Sequence, residues 1–512
     1  MAMDTKLLLI LLLSSLIALF SACLAQSAQG TEIDPELKTC KHQCRQQQQY
    51  SESDERKCLE RCDRYHRMKE EREREIEEEV RRRKEHEMEE TGSDDHHRSR
   101  TESKEEEECE EEEEEGNPFV FGDEQFERRV ETEDGTVRVL QKFTEKSKLL
   151  RGIENFRFAV LEAQQHSFVS PCHFDSELVI FTVKGRATIG LVGEDKTERF
   201  NLEQGDIMRI PSGTPFYIVN RDENEKLLLA QLHITISIPG HFEAFYGPGG
   251  RDPESVLRAF SWDVLEAALK GQKENLERLF GRQKKGSIFR ISRDQVRSLS
   301  KRWEGPRIWP FGGQGRGPFN IFHNKPSVSN DYGRLYEVGP EDQSDLDNLN
   351  LMISFANITN GSMSAPLYYT KAIKIGMVTE GIGEVEVVTP HMSEEQQKRK
   401  KSSPRYRRVS GRLRPGVVFV VPAGHPFVTM ASRESNLQIL CFEVNARGNK
   451  RLAFAGKRNI VKAMDGKAKE LAFMWAEEKL NAAFSREEDT FFPGPQNHEE
   501  EEEEEEARRA EA

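Results

Sequence analysis

The chain has 512 residues, 32 % of them charged, and a formal net charge of −15. That length implies two or more domains, each able to bury its own core. The negative balance excludes nucleic acid as a general partner, because phosphate would be repelled.

The amino terminus reads as a secretory signal over residues 1–25. Lys6 precedes the apolar stretch Leu7–Phe20, and Cys23-Leu24-Ala25 forms a small-residue cleavage site before Gln26. No later segment is long enough for a membrane span. The mature protein is therefore expected to be soluble, with no membrane partner, after passing through an oxidising lumen.

Residues 26–70 carry Cys40 and Cys44, then Cys58 and Cys62. Cysteines four apart share one helical face. Two such helices in an antiparallel hairpin can be stapled as Cys40–Cys62 and Cys44–Cys58. Secretion and this spacing favour disulfides over a zinc site. Residues 71–116 are a charged low-complexity segment, with a polar helix over Lys69–Glu90 and an acidic run at Glu105–Glu115. A second acidic run, Glu499–Glu506, lies in the tail, residues 496–512. Such runs bury too little apolar surface to order themselves.

From Phe156 the pattern changes to short strands between turns: Phe156–Glu162, Leu178–Val183, Ala187–Leu191, Asp206–Ile210, Phe216–Val219 and Leu227–Ile234. Close-set short strands predict a sandwich or closed barrel. A helical period follows. Asp252-Pro253 reads as an N-cap and first helical residue, and Val256, Leu257, Phe260, Val264, Leu265, Ala268 and Leu269 form an apolar stripe. Leu276, Leu279 and Phe280 continue it in a second helix, and Ser292 with Gln295 forms the capping box of a third. Residues 117–300 are thus one barrel with a helical arm. A Gly-rich linker, 301–316, leads to a second such unit, 317–495, with strands over Gly333–Glu443 and helices at Asn459–Met464, Ala468–Phe473 and Glu477–Phe484. Cys172 and Cys441 sit in apolar strand contexts as buried free thiols.

One phrase occurs twice. Gly205, five residues, Pro211, one residue, Gly213 and then Phe216 is repeated as Gly416, Pro422, Gly424 and Phe427, 211 residues later. A period that long means a duplicated domain rather than a solenoid. The phrase resembles the second motif of the cupin β-barrels, which has a metal-binding histidine where this chain has Phe216 and Phe427. The first cupin motif falls on Pro171, His173, Leu178 and Gly185, and, 196 residues on, on Leu367, Tyr369, Lys374 and Gly381. The difference between the two offsets predicts an inserted basic loop at Ser393–Gly411. A cupin metal site needs converging imidazoles and a carboxylate. Only His173 survives at these positions, so both barrels are expected to be filled by side chains.

Longer stretches resemble the vicilin-type (7S) seed storage globulins. They include Phe158-Ala159-Val160-Leu161-Glu162-Ala163, Pro239-Gly240-His241-Phe242-Glu243, Ser354-Phe355-Ala356-Asn357-Ile358-Thr359 and Pro422-Ala423-Gly424-His425-Pro426. The resemblance implies a mainly β fold of two cupin jelly rolls with helical arms, a non-enzymatic nutrient reservoir, and a homotrimer joined through arms and barrel ends. It also implies transit through the secretory pathway to seed protein storage vacuoles, and eventual digestion by germination proteases. Some relatives bind copper through a Cys-Pro-His loop, a nearby histidine and a tyrosine before the first barrel. Here those places read Thr389-Pro390-His391, His425 and Phe119, and threonine supplies no soft thiolate. No cofactor is therefore expected, with His391, His425 and His173 the weak metal candidates. The amino-terminal hairpin resembles peptides released from vicilin precursors, which implies defence as an alternative role. Asn357 and Asn360 begin glycosylation sequons; Asn360, in a turn, is the more accessible.

Overall fold

The computed structural model describes residues 117–247, 250–301, 317–390 and 406–495, together with the helical positions Arg56 and Leu59. The signal segment, the hairpin cysteines, nearly all of the linker, His391 and the acidic tail lie outside the described residues.

The expected strands form, each within a residue or two of its expected ends, because short apolar runs rich in β-branched and aromatic residues lie between turn residues. They build four antiparallel sheets, two per barrel. In the first barrel, Leu227–Thr235 is central, pairing with both Phe156–Ala163 and Ser176–Lys184. In the second, Leu437–Val444 plays the same part between Leu351–Ile358 and Ile373–Glu380.

The repeated phrase is a turn, a strand and a second turn in both copies. Its four glycines take φ between +74° and +90°, a left-handed backbone that glycine adopts without a Cβ clash. A Cβ on Gly205 would also run into the Phe322 ring.

The phrase has a further role. The leading strand of each barrel pairs with the phrase strand of the other. Val120 and Phe121 pair with Phe419 and Val418 of the second barrel. Phe319 and Asn320 pair with Ile207 and Asp206 of the first. Asn320 reinforces this by donating to Asp206 Oδ1 at 2.9 Å and to the Gln204 carbonyl at 2.8 Å. A cut at the linker therefore separates each barrel from one of its own sheet strands.

The central sheets of the two barrels also meet face to face. Phe158 packs edge-on to Phe442 at 6.1 Å, and Phe181 stacks on Phe355 at 6.2 Å. One apolar cluster runs through both halves, from Phe158, Phe181 and Ile207 to Ile353, Phe355 and Phe442.

Three expectations change. The stripe after Asp252 is two pieces: Ser255 caps a short 3-10 turn, Val256–Ala259, the chain extends at Phe260, and a helix restarts at Trp262–Ala268. Asn459–Met464 is a series of turns instead of a helix. There Asn459 donates to the Gly456 carbonyl and accepts from the Lys462 amide, side-chain bonding that competes with helix. Tyr406–Gly411, expected within the inserted loop, belongs to the strand Tyr406–Leu413 paired with Gly383–Pro390. The capping box at Ser292 and Gln295 forms as read.

Truncating Phe442 to alanine at the barrel–barrel contact should cost about 3–5 kcal/mol, the usual range for a buried phenylalanine. Urea unfolding followed by tryptophan fluorescence measures it; a loss below about 1 kcal/mol would mean that the two sheets do not support one another.

Candidate functional site

The interiors of the two barrels are compared most directly through the second glycine of each phrase. Gly213 donates its amide to the Phe174 carbonyl at 2.8 Å, and Gly424 donates to the Tyr369 carbonyl at 2.8 Å. Phe216 pairs with Cys172, and Phe427 with Leu367. The residues of the first barrel that match Leu367 and Tyr369 are therefore Cys172 and Phe174. The sequence alignment, which chose Pro171 and His173, is one residue out. The turn before Leu178 is one residue shorter than its counterpart before Lys374, and a one-residue slip moves a side chain to the opposite face of its strand. His173 accordingly lies outside the barrel, stacked on Phe245 at 5.1 Å, and is not an interior ligand position.

With the register corrected, the motif positions read Cys172, Phe174, Leu178 and Phe216 in the first barrel, and Leu367, Tyr369, Lys374 and Phe427 in the second. None is an imidazole or a carboxylate. Among the described residues no group of three histidine, cysteine or acidic side chains is placed to hold a metal ion.

The second barrel carries its own cation instead. Lys374 Nζ donates to Glu443 Oε1 at 2.7 Å, and both residues are buried. Ser354 Oγ donates to the same oxygen at 2.9 Å, and the Tyr369 hydroxyl at 3.2 Å. Burial alone would raise the Glu443 pKa. The Lys374 ammonium and the hydrogen bonds from Lys374 and Ser354 outweigh that and hold it below the usual carboxylate range. A second pair, Arg451 with Glu337 at 2.9 Å, stands beside the cluster, and Tyr369 stacks on Phe427 at 6.0 Å.

The first barrel has His233 where the second has Glu443, since His233 pairs with Leu178 as Glu443 pairs with Lys374. His233 is fully buried. Its ring stacks on Phe242 at 3.8 Å and meets Phe174 edge-on at 4.9 Å. Ser176 Oγ lies 3.0 Å from Nδ1, while Nε2 has no partner. Burial, and then the nearby Arg129 and Arg157 charges, pull its pKa down to about 3, so the ring is neutral. Neither Glu443 nor His233 was singled out from the sequence. The available signal was one acidic or imidazole residue amid the apolar run of each central strand, at matching places in the two repeats.

Three of the positions that correspond to the copper site of some relatives are described. His425 donates from Nδ1 to the Ala423 carbonyl at 3.2 Å, which leaves Nε2 buried and unpartnered. The Phe119 ring lies edge-on at 6.1 Å, and Thr389 Oγ1 is buried without a partner. Among the described positions, one imidazole, a phenyl ring and an alcohol supply no thiolate or phenolate. His391 and the four hairpin cysteines fall outside the described residues. Cys172 and Cys441 are buried free thiols, and burial pushes the Cys172 pKa up to about 12.

Two antiparallel double-sheet barrels with matching phrase, register and central strands define a bicupin. The Cupin family model matches residues 125–270 and 319–481. The "Sucrose-binding protein" of Glycine max is 58 % identical over 494 residues, covering 94 % of this chain and 92 % of that protein. "Vicilin Jug r 6.0101" of Juglans regia is 52 % identical over 499 residues, covering 95 % and 96 %. The crystal structure of vicilin from Corylus avellana superposes with a TM-score of 0.69 at 56 % identity, covering 74 % of this chain and all of that one. The chain belongs to the vicilin-type 7S globulins, the bicupin seed storage proteins.

Removing one partner of the buried pair leaves an uncompensated charge. Lys374→Met and Glu443→Gln should each destabilise by about 3–5 kcal/mol, while the double variant recovers most of the loss. A double-mutant cycle from denaturant unfolding checks this; additive losses would show that the pair is uncoupled. His233 gives a pH signature. Its folded pKa of about 3 lies below the ordinary 6.5, so the unfolded chain takes up the proton first as pH falls. The His233 contribution is fully present above pH 6.5 and fades towards pH 3. Between pH 7.5 and 4.5 the melting temperature of the wild type should therefore drop further than that of His233→Gln. Equal drops in calorimetry would contradict this.

Proposed function

We propose that this vicilin is a nutrient reservoir without catalytic activity or a resident metal. It enters the secretory pathway through residues 1–25, accumulates in seed storage vacuoles as a homotrimer, and is digested by proteases at germination. The carrying observation is the content of the two barrel interiors: apolar side chains and a self-paired lysine stand where chemistry needs metal ligands. Storage requires dense, soluble packing and no reacting centre, so interiors without a set of metal ligands are compatible with it.

The helical arms support the trimer. Each buries part of its apolar stripe against itself, as Leu265, Leu276 and Phe280 do in the first. Each also leaves large apolar side chains exposed: Phe260, Val264 and Leu279 in the first arm, Leu471, Met474 and Trp475 in the second. Such patches are unusual on a monomer. Two like arms per chain suit a closed ring of three chains.

Of the two sequons, Asn360 is exposed in a turn, whereas Asn357 lies within a strand with a buried Oδ1. We infer that Asn360 carries the glycan.

Protein purified from mature seed should sediment as three chains, carry glycan at Asn360 and not at Asn357 by mass spectrometry, and decline steeply after imbibition. A monomer of constant abundance through germination would overturn the storage reading.

A further inference from the structure

The second barrel ends in a basic strand. Tyr406–Leu413 is outermost in its sheet and pairs with Gly383–Pro390 on one side only. It carries Arg407, Arg408 and Arg412, all exposed. Arg408 meets Glu386 at 3.5 Å. Glu384 stands opposite Arg412 in the register, yet neither Arg407 nor Arg412 has an ion pair among the described residues. The outermost strand of the first barrel, Thr197–Leu202, has no such surplus. Its one arginine, Arg199, donates to the Tyr217 hydroxyl at 3.0 Å.

An open strand edge invites unwanted pairing, and here the chain itself already reaches the edge. Asn117 donates from Nδ2 to the Ser410 carbonyl at 2.6 Å, between Arg408 and Arg412 along the strand. Its Oδ1 accepts from the Phe119 and Val120 amides at 2.9 and 3.2 Å, which fixes the side chain. Gly411 makes room for this approach: a Cβ there would stand 2.6 Å from Val120 Cγ2 and 3.0 Å from Asn117 Nδ2.

Ahead of Asn117 come Gly116 and the run Glu105–Glu115, ten glutamates and Cys109. Two residues span at most about 7 Å, so Glu115 comes within reach of the arginine strand. Extended, the run covers about 35 Å, against roughly 26 Å for an eight-residue strand. Its carboxylates can therefore meet all three arginines, and arginine takes carboxylates in strong bidentate pairs. The acidic run of the tail, Glu499–Glu506, is worse placed. The described chain ends at Pro495, just past Phe491–Pro493 on the far edge of the same sheet, with three strands between. The groove leading back from Pro495 to Arg412 is lined by Glu384 and Glu386, which repel it.

We propose that the run Glu105–Glu115 docks along the free edge of Tyr406–Leu413, with its carboxylates on Arg407, Arg408 and Arg412. The tether at Asn117 makes the contact intramolecular and raises the effective concentration of the run. The docked run then shields a basic edge from other copies of the chain.

Hydrogen exchange of the full chain, read by mass spectrometry over residues 406–412, tests this. At low salt the wild type should exchange there about fivefold more slowly than a variant with all ten glutamates changed to glutamine, the effect of a few exposed ion pairs. In about 1 M salt the two should agree, because screening removes such pairs. Arg407→Glu, Arg408→Glu and Arg412→Glu together should reproduce the fast exchange, and lysine at the ten glutamate positions of that variant should restore the slow one. Changing Glu499–Glu506 to glutamine should have no effect. Exchange over Leu437–Val444, the central strand, controls for folding. Equal exchange in the wild type and the glutamine variant, a difference that survives 1 M salt, or protection lost on neutralising the tail alone would each overturn the proposal. Should the arginine variant fail to fold, the glutamine variant and the salt series decide it.

Discussion

Each barrel of this protein is completed by a strand from the other, and most of the architecture depends on that exchange. A sheet edge left open is a site for unwanted pairing. Here Val120–Phe121 closes the edge of the second barrel and Phe319–Asn320 closes the edge of the first. The strands they cover, Val418–Val421 and Asp206–Ile210, are the strands of the repeated phrase. Gly205 lies where the incoming Phe322 and Asn320 approach, and any side chain there would meet them. The exchange also brings the two central sheets together, which lets Phe158, Phe181, Phe355 and Phe442 form one core across the duplication. Two barrels so joined are expected to unfold together, a useful property in a protein that must persist until it is needed.

Within this frame the two interiors have diverged. Both have lost the imidazoles of a cupin metal centre, but they replace them differently. The second barrel puts a lysine ammonium on the Glu443 carboxylate, which also accepts from the Ser354 and Tyr369 hydroxyls, so the cation is part of the chain. Pairs of this kind rarely add much stability over an apolar replacement, yet half of one is strongly destabilising. Once established, Lys374 and Glu443 can only change together. The first barrel puts a neutral histidine in an aromatic box and leaves space beside it. The first barrel, expected from the sequence to be packed solid, keeps a cavity of about 190 Å³ beside His233, whereas the second has Glu443, bonded to Lys374, at the matching place of its central strand.

Much of this was legible in the sequence, for local reasons. Strands such as Asp206–Ile210 and Phe216–Asn220 are bounded by glycine and proline whose turn geometry is fixed by the residues themselves. The loss of ligands at Phe216 and Phe427 was visible in the same phrase. The slip at Pro171 and His173 arose because spacing was carried across a turn that is one residue shorter in the first repeat. Strand exchange was not legible, since a two-residue strand has no periodicity and its partner lies 299 residues away (Val120 to Phe419, 419 − 120). The cavity was not legible either. It depends on what faces Cys172 and Phe174 across the barrel, which only the fold brings together. In the arms, the apolar stripe was correct in kind, but Ser255 and Ser261 start separate short elements where one helix was read.

Lys374 is proposed to take the place of a metal ion, in a protein that holds none. The most direct measurement is elemental analysis by mass spectrometry of protein purified from seed under metal-free conditions, without chelators. Copper, manganese, iron and zinc should each fall far below one atom per chain. One atom per chain of any of them, retained through dialysis, would contradict it.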